Sequence, residues 1–191
     1  GNNSNYGGND NPQEDNNEII EDNYAINQKV VPAPNLSAPE DITAELKVEL
    51  INNNTGKHVY ALGLADTGAK SVFIKRSVLR TIPHTIEEVK IKSQGRYGPP
   101  SEIRQQATFQ IKLPQFTSSR TINITAYIED NATGRHDIIL GLRCLSQLGI
   151  VLDLKHKTMI WDDVSVALTP PGTLSAEDIS NIDPADAHLP P

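Results

Sequence analysis

The sequence predicts an all-β fold, either a barrel or a sandwich, with one short helix near its C-terminal end. Three observations support this prediction. Short stretches in the middle of the chain alternate apolar with polar side chains, as strands with one buried face do. Turn-forming residues, mainly Asn and Gly, separate these stretches. A helical pattern occurs over Leu142–Leu148, and Gly149 follows directly, where it is suited to end a helix.

Composition divides the chain into a folded body and two tails. Hydrophobic residues make up 37% of the chain, below the roughly 45–50% of typical globular domains, and the deficit lies at the two ends. Residues 1–41 are rich in Asn and acidic residues, and residues 168–191 are rich in Pro and acidic residues. Such segments bury too little apolar surface to fold alone. We therefore expect a disordered acidic linker over 1–41, a folded domain over 42–167 and a disordered tail over 168–191.

Charge follows the same division. Residues 1–41 carry eight acidic and one basic side chain, residues 42–162 carry 11 acidic and 16 basic ones, and residues 163–191 carry five acidic and no basic ones. A mildly basic body thus lies between acidic ends. Ordinary solvated surfaces explain this, and so does an attraction by which the tails partly occupy a cleft of the body. The positive charge is not clustered and no aromatic platform accompanies it, so we do not expect this domain to bind nucleic acid.

The first predicted strands form a hairpin and lead into a sharp turn. Residues 44–50 alternate apolar and charged side chains, residues 52–56 form a strong turn signal, and residues 59–65 are the second strand. The apolar run over 72–74 predicts another strand, and residues 75–79 are long enough for one helical turn.

The later predicted strands complete the domain. Residues 88–92 and 106–113 alternate and flank a Gly- and Pro-containing loop at 93–100. The strand predicted at 121–128 places four apolar residues on one face, and residues 130–134 form a turn after it. These four residues are Ile122, Ile124, Ala126 and Ile128. Two final strands are predicted at 150–154 and Thr158–Trp161, with Trp161 in the core or at the edge of a dimer.

Asp66, Thr67 and Gly68 form the turn at the end of the second strand, and they carry the functional prediction. Peptide hydrolysis by an activated water uses two carboxylates in contact that share one proton, since like charges so close cannot both ionise. The ionised member takes a proton from water, and the protonated member donates to the peptide carbonyl oxygen. The alternative is an ordinary turn in which Asp66 accepts a hydrogen bond from its own backbone.

The chain contains one such turn, although the chemistry needs two aspartates. The sequence Ala132-Thr133-Gly134 has Ala at the position where Asp is needed, and no Asp-Ser-Gly occurs. A two-lobed enzyme built by internal duplication is therefore excluded. A symmetric homodimer remains, because a two-fold axis brings the same loop of two subunits face to face.

Two motifs in this order resemble the retropepsin family, the aspartic proteases of retroviruses and LTR retrotransposons. They are Asp66-Thr67-Gly68-Ala69 and Ile139-Leu140-Gly141, and the segment over 148–161 is similar to the end of proteases from gypsy-type retrotransposon polyproteins. The resemblance covers roughly residues 42–167. It implies a small closed barrel of the retropepsin (acid protease) type, a homodimer, no cofactor, and a peptide or polyprotein as substrate.

The resemblance also implies roles for single residues. Asp66 would be the catalytic aspartate of each subunit, Thr67 would lock the two loops together, and Gly68 and Ala69 would offer backbone groups to the peptide. Ile139-Leu140-Gly141 would pack behind the catalytic loop. The residues expected to bind substrate are Ala69, Lys70, Gly95, Arg96 and Tyr97, the last three from the loop at 93–100, which is the best candidate for a flap over the substrate.

The sequence departs from the family pattern at two places. Many retroviral members pair an acidic residue after Asp-Thr-Gly-Ala with an Arg after Ile-Leu-Gly, whereas this chain has the cationic residues Lys70 and Arg143 in those neighbourhoods. A Gly-rich flap tip is also missing. Both departures favour the alternative function, a catalytically inactive retropepsin-fold module for dimerisation or peptide binding. The favoured prediction for the function is an aspartic endopeptidase that processes a retrotransposon-type polyprotein and is most active at roughly pH 4 to 6.

The remaining reactive residues predict no further site. Cys144 is the only cysteine and lies in an apolar run, so we expect a buried structural thiol and no disulfide. The five histidines share no metal-ligand spacing, so no metal site is expected. No signal peptide or membrane-length apolar run occurs, and we expect a cytoplasmic protein that does not enter a membrane.

Overall fold

The computed structural model describes residues 41–95 and 99–174. All of them belong to one unit that spans Glu40–Pro191. Most of the two predicted tails, together with Arg96 and Tyr97, lies outside the described residues. In the part of the chain that is described, no helix has the length and apolar character needed to cross a membrane.

Strands dominate the described residues, and the two helices are short. The strands are β1 (Glu45–Leu50), β2 (Val59–Asp66), β3 (Phe73–Lys75), β4 (Thr85–Ser93), β5 (Ser101–Lys112), β6 (Ile122–Glu129), β7 (Ile138–Gly141), β8 (Val151–Asp153), β9 (Thr158–Trp161) and β10 (Val164–Ala167). The helices are α1 (Arg76–Leu79) and α2 (Leu142–Leu148). The predicted all-β fold with one short C-terminal helix is confirmed.

Six strands close into a ring. The hydrogen-bonded order is β1-β2-β7-β3-β6-β5, and β5 returns to β1 through the pairs Glu49↔Lys112 and Leu50↔Ile111. β4 pairs with the first part of β5 on the side opposite β6 and forms a hairpin with it. β8, β9 and β10 form a separate antiparallel sheet in the order β10-β9-β8. The closed ring confirms the closed sheet that the sequence predicts.

Alternation places the apolar residues of each ring strand in the core. On β6, Ile124, Ala126 and Ile128 are buried, and Ile122 packs partly against the core, as predicted. Trp161 is 1% exposed, and its indole Nε1–H donates to the backbone carbonyl of Leu148 at 2.9 Å. Burying an apolar side chain of this size stabilises the fold by about 1.5–3 kcal/mol.

Both helices lie where the sequence predicts them. α2 ends at Leu148, and Gly149 follows in the left-handed conformation with φ 75°. Its backbone N–H donates to Ser146, and the N–H of Ile150 donates to Leu145 at 2.9 Å. A residue with a side chain is strained in this conformation, so Gly149 stops the helix there.

The structure corrects the predicted starts of two strands and the start of the C-terminal tail, and it adds one strand. β4 starts at Thr85 instead of residue 88. β5 starts at Ser101, before the predicted start at residue 106, because Ile103 is the one apolar residue among its first five and no alternating pattern results. β10 was not predicted, since it is a mostly exposed edge strand in an acidic segment. Leu168 and Thr169 fall in the predicted disordered tail, yet Leu168 is buried and Thr169 pairs with Thr43.

Candidate active site

Three strands meet at the predicted catalytic turn. β7 runs parallel to β2, with Asp66 paired to Gly141, and antiparallel to β3 on its other side. The chain therefore leaves β2 at Asp66, crosses the end of β7 and enters β3. We call the crossing segment, residues 66–71, the aspartate loop.

Helix α2 holds the aspartate loop from behind. The N–H of Leu142 donates to the carbonyl of Ala69 at 2.7 Å, and the N–H of Arg143 donates to the carbonyl of Lys70 at 3.2 Å. The first N–H groups of a helix have no partner within the helix, so these bonds satisfy both elements at once. Gly141 lies against the loop backbone and Leu140 is buried beside it. The Ile-Leu-Gly motif thus packs behind the loop, as the resemblance implies.

The Asp66 carboxylate is fixed by its own turn. Oδ1 accepts a hydrogen bond from the N–H of Gly68 at 2.8 Å, and the N–H of Ala69 donates to the Asp66 carbonyl at 3.2 Å. The side chain is half-buried, whereas Thr67 and Gly68 are exposed. This hydrogen bond is the one expected if Asp66 forms only an ordinary turn, but it uses only one of the two carboxylate oxygens. Oδ2 has no hydrogen-bond partner among the described residues, and it is available to a water or a second carboxyl group.

One copy of the described chain provides one carboxylate at this site. Asp66 makes no ion pair or hydrogen bond with another acidic or basic side chain of the described residues. In the same residues, no three His, Cys, Asp or Glu side chains lie close enough together to hold a metal ion. The described part of one chain therefore does not supply the second carboxylate of a proton-sharing pair.

The predicted substrate-binding residues fall into two places. Ala69 is half-buried and Lys70 exposed in the aspartate loop. Gly95 lies in the connection between β4 and β5, just beyond the last strand pair, Ser93↔Ser101. Arg96 and Tyr97 would follow it but lie outside the described residues. The loop proposed as a flap is thus at the tip of a hairpin.

Two charged residues that support the site were not predicted. Asp137, directly before β7, accepts a hydrogen bond from the Leu62 N–H through Oδ2 at 2.9 Å, and its Oδ1 lies 3.6 Å from Lys75 Nζ. It therefore links β2 and β3 at the start of β7. An acidic residue directly before a buried strand is the available signal in the sequence, but it does not identify the partners.

The second is Glu45, which is 3% exposed on β1. Arg135 donates to both of its carboxylate oxygens at 3.1 Å and 3.1 Å, and His136 Nε2 lies 3.0 Å from Oε1. The Arg135 hydrogen bonds hold the pKa of Glu45 below its usual value, with His136 contributing and burial opposing. The loop before β7 is thereby tied to β1.

An open groove of about 390 Å³ adjoins the aspartate loop, between β6 and α2. Ser71, Arg143 and Cys144 lie on the side of the loop and helix, and Gln106 and Tyr127 lie on the side of the sheet. Cys144 is 9% exposed, and burial raises the pKa of its thiol to about 11. The prediction of a buried Cys144 is confirmed, and such a thiol is a poor nucleophile.

Comparison with known proteins gives structural neighbours only. No protein-family model matches this chain, and no curated protein matches it. One solved structure that matches is the retroviral protease-like domain of Ddi1 from Leishmania major, with 17% sequence identity, a TM-score of 0.48, and coverage of 71% of this chain and 100% of that chain. Another is EIAV protease complexed with the inhibitor HBY-793, with 21% identity, a TM-score of 0.40, and coverage of 62% of this chain and 100% of that chain. These neighbours are protease or protease-like domains.

The arrangement determines what one copy of the site can do. A half-buried carboxylate can bind a water through Oδ2, but no second acid lies beside it among the described residues to protonate a carbonyl oxygen. The exposed Thr67 and Gly68 leave the front of the loop open. The chemistry of the site therefore depends on what contacts this open face.

Proposed function

We propose that this chain is an aspartic endopeptidase that acts as a homodimer and processes a polyprotein of the retrotransposon type. The proposal rests on the hydrogen bonding of the Asp66 carboxylate. Its Oδ1 is fixed by the Gly68 N–H at 2.8 Å, and its Oδ2 is unpartnered in the described part of the chain. The neighbouring Thr67 and Gly68 are exposed, so a second aspartate loop can approach.

In the proposed dimer, the two Asp66 carboxyl groups share one proton. The ionised group takes a proton from a bound water, which attacks the peptide carbonyl carbon, while the protonated group donates to the carbonyl oxygen and a tetrahedral diol forms. The diol collapses and the C–N bond breaks as the first group passes its proton to the amine nitrogen and a diol hydroxyl returns a proton to the second group, which restores the pair. Cleavage is fastest at roughly pH 4 to 6, where the pair holds one proton. Rates fall at lower pH as both groups become protonated, and at higher pH as both become ionised.

The substrate binds as an extended strand. Gly68 is exposed and offers its backbone to the peptide, whereas the Ala69 N–H and carbonyl are already bonded to Asp66 and Leu142. The β4–β5 hairpin provides the flap from the loop at 93–100. Backbone hydrogen bonds give affinity in this mode, and alternate side chains enter pockets that give specificity. Lys70 follows Ala69 and is exposed beside this path. We place the reaction in the cytoplasm, since the single cysteine is buried and unpaired, as is usual in a reducing compartment.

The test compares the wild-type chain with Asp66→Asn. Cleavage of the chain's own ends and of a mixed peptide pool is measured at several pH values, with and without a statine-type transition-state analogue. Asp163→Asn is the matched control, because Asp163 is an exposed turn residue. We expect acid-favoured cleavage by the wild type and the control, inhibition by the analogue, and no cleavage by Asp66→Asn with its fold and dimer intact.

The second candidate is a dimerisation or peptide-binding module without catalysis. The exposed cation Lys70 in the aspartate loop favours it, since Lys70 follows Asp66-Thr67-Gly68-Ala69 where many members of the family have an acidic residue. Sedimentation, together with the cleavage assay, distinguishes the two candidate functions. If wild type and Asp66→Asn form dimers at the assay concentration and neither cleaves any peptide at any pH, the endopeptidase proposal is wrong and the module is favoured.

A further inference from the structure

We propose that Lys70 and Arg143 form an anion-selective subsite that binds a carboxylate side chain of the peptide. For cleavage, this inference rests on the proposed endopeptidase function, but the binding preference does not require turnover. The ligand is thus an extended peptide with an Asp or Glu side chain a few residues from the bond at Asp66.

The backbones of Lys70 and Arg143 are in contact. The Arg143 N–H lies 3.2 Å from the Lys70 carbonyl oxygen, so these residues are neighbours although they are distant in sequence. Both are exposed. Lys70 belongs to the aspartate loop itself, and Arg143 follows Gly141, the residue paired with Asp66, by two positions. Lys70 therefore lies in the loop that is expected to contact the peptide, and Arg143 lines the groove behind that loop, between β6 and α2.

Neither cation is neutralised by the described residues. Several other basic side chains of this domain have a carboxylate partner, for example Arg76 with Asp130 and Arg135 with Glu45. No ion pair joins Lys70 or Arg143 to an acidic group in the described ranges 41–95 and 99–174. A carboxylate that binds between the two side chains is attracted by both positive charges.

The groove that Arg143 lines, to which Lys70 does not contribute, has no acidic side chain among its described lining residues. Its lining includes amide and hydroxyl groups, such as Gln106, Gln147 and Ser71, and Arg143 is its charged lining residue. With about 390 Å³ of open space, it can hold a side chain of the size of Glu. An acidic side chain entering it meets donors, whereas a basic one meets Arg143.

The chain's own sequence provides a probe of this chemistry. Residues 175–186 read Ser-Ala-Glu-Asp-Ile-Ser-Asn-Ile-Asp-Pro-Ala-Asp, with four acidic and no basic side chains. A synthetic peptide of this sequence is compared with an amide counterpart in which the four acids are Gln or Asn. The two peptides match in length and shape and differ in charge alone.

The binding test uses the full-length Asp66→Asn chain, which cannot consume the peptide. Fluorescence anisotropy measures the affinity of both labelled peptides at low salt and at 0.5 M salt. We expect the acidic peptide to bind about five- to thirty-fold more tightly at low salt, since each partly exposed ion pair contributes at most a factor of about five. The preference should shrink at high salt.

Two variants test whether the preference for the acidic peptide depends on these cations. Each of the substitutions Lys70→Gln and Arg143→Gln, made in the Asp66→Asn chain, should reduce the ratio of the affinities for the acidic and the amide peptide. The two substitutions together should abolish the difference. Lys155→Gln is the control, because Lys155 is an exposed cation in the turn between β8 and β9. Equal affinities for both peptides, or an equal loss in Lys155→Gln, would overturn the subsite. Sedimentation of each variant verifies that its oligomeric state is unchanged.

The cleavage test separates this inference from the proposed function. A peptide that the wild type cleaves is synthesised with either Glu or Gln at single positions near the cleaved bond. The ratio of kcat/KM for the Glu and Gln peptides is then measured for three proteins. These are the wild type, the double variant Lys70→Gln and Arg143→Gln, and the control Lys155→Gln. Asp66-dependent cleavage with the same Glu/Gln ratio in all three proteins contradicts the subsite and leaves the protease proposal standing. An acidic preference in binding without any cleavage supports the subsite and contradicts the protease proposal.

Discussion

Gly141 packs directly against the backbone of Ser71. A Cβ at Gly141 would lie 2.2 Å from the Ser71 carbonyl oxygen and 2.7 Å from its nitrogen, and 2.8 Å from the carbonyl oxygen of Ala69. All three are backbone atoms, which cannot rotate out of the way as the end of a side chain can. The position of the aspartate loop over β7 therefore depends on the absence of a side chain at Gly141.

We predict that Gly141→Ala displaces the aspartate loop. Overpacking of this kind costs about 1–3 kcal/mol of unfolding free energy or more, and a shift of about 1 Å in a catalytic group can reduce the rate roughly 100-fold. Urea denaturation followed by circular dichroism measures the first effect, and kcat/KM for a cleaved peptide measures the second. A binding module without catalysis would show only the loss of stability.

Gly134→Ala is the matched control for this substitution. A Cβ at Gly134 meets nothing within 4 Å. Its φ is not in the positive range that disfavours side chains. The control should keep the stability and activity of the wild type. Wild-type stability and activity in Gly141→Ala would mean that the loop does not pack on β7 as closely as described.

The sequence was sufficient to predict the elements in which one face is buried. β6 is an example, because its alternation reflects a core on one side, and α2 is another, because Gly149 marks its end. The Asp66 turn was predictable for the same reason, since it follows a buried strand. The start of β5 and the edge strand β10 were not predictable, since the first has a single buried residue, Ile103, and the second is mostly exposed.

Contacts between distant parts of the chain could not be read from sequence. Glu45 and Arg135 are 90 positions apart and meet only because β1, β2 and β7 are successive in the sheet. The hydrogen bond between Arg143 and Lys70 likewise depends on how the aspartate loop crosses β7. The sequence identified both cations as a departure from the family pattern, but their proximity is a result of the fold.

We predict that Glu45 makes the folded state sensitive to acid. Its pKa is lowered in the folded chain, chiefly by the hydrogen bonds from Arg135. A lowered native pKa stabilises the fold at pH values above the ordinary Glu value of about 4.3. This contribution is lost as the pH falls through the lowered native pKa. The unfolding free energy, measured by urea denaturation from pH 7 to pH 3, should therefore decrease below about pH 4.3.

Glu45→Gln should remove this acid-dependent part and destabilise the fold at pH 7. We expect a loss of about 1–3 kcal/mol, below the value for a fully buried pair because Arg135 is partly exposed. Glu102→Gln is the control, since Glu102 pairs with Arg104 at 3.4 Å on the surface. An unchanged acid dependence in Glu45→Gln would mean that other carboxyl groups cause it. The same urea measurements separate two causes of lost cleavage below pH 4. A loss of cleavage together with the fold is caused by unfolding, whereas a loss of cleavage in a chain that is still folded is caused by protonation of Asp66.

We predict that the Cys144 thiol reacts slowly in the folded chain. Burial raises its pKa from the ordinary thiol value of 9.0 to about 11, so the thiolate fraction at pH 7.5 is roughly 100-fold lower than that of a free cysteine. Modification by iodoacetamide, followed by mass spectrometry, should be slower by about this factor in native protein than in urea. Cleavage activity should survive the treatment. Rapid modification of native protein with loss of cleavage would indicate a reactive cysteine at the site.

We predict that Trp161 stabilises the far end of the helix that holds the aspartate loop. Its Nε1–H donates to the Leu148 carbonyl at the end of α2, and its ring contacts Phe116 edge-on, with centroids 6.0 Å apart. Trp161→Phe removes the hydrogen bond and leaves that carbonyl without its partner, which should cost about 1–3 kcal/mol. Thermal unfolding measures this loss, and Phe73→Leu, which changes a half-buried ring outside this contact, is the comparison. Because α2 also bonds to Ala69 and Lys70 through its first turn, Trp161→Phe should lower kcat/KM at temperatures where the chain is still folded. A loss of stability with unchanged kcat/KM would mean that the two ends of α2 act independently.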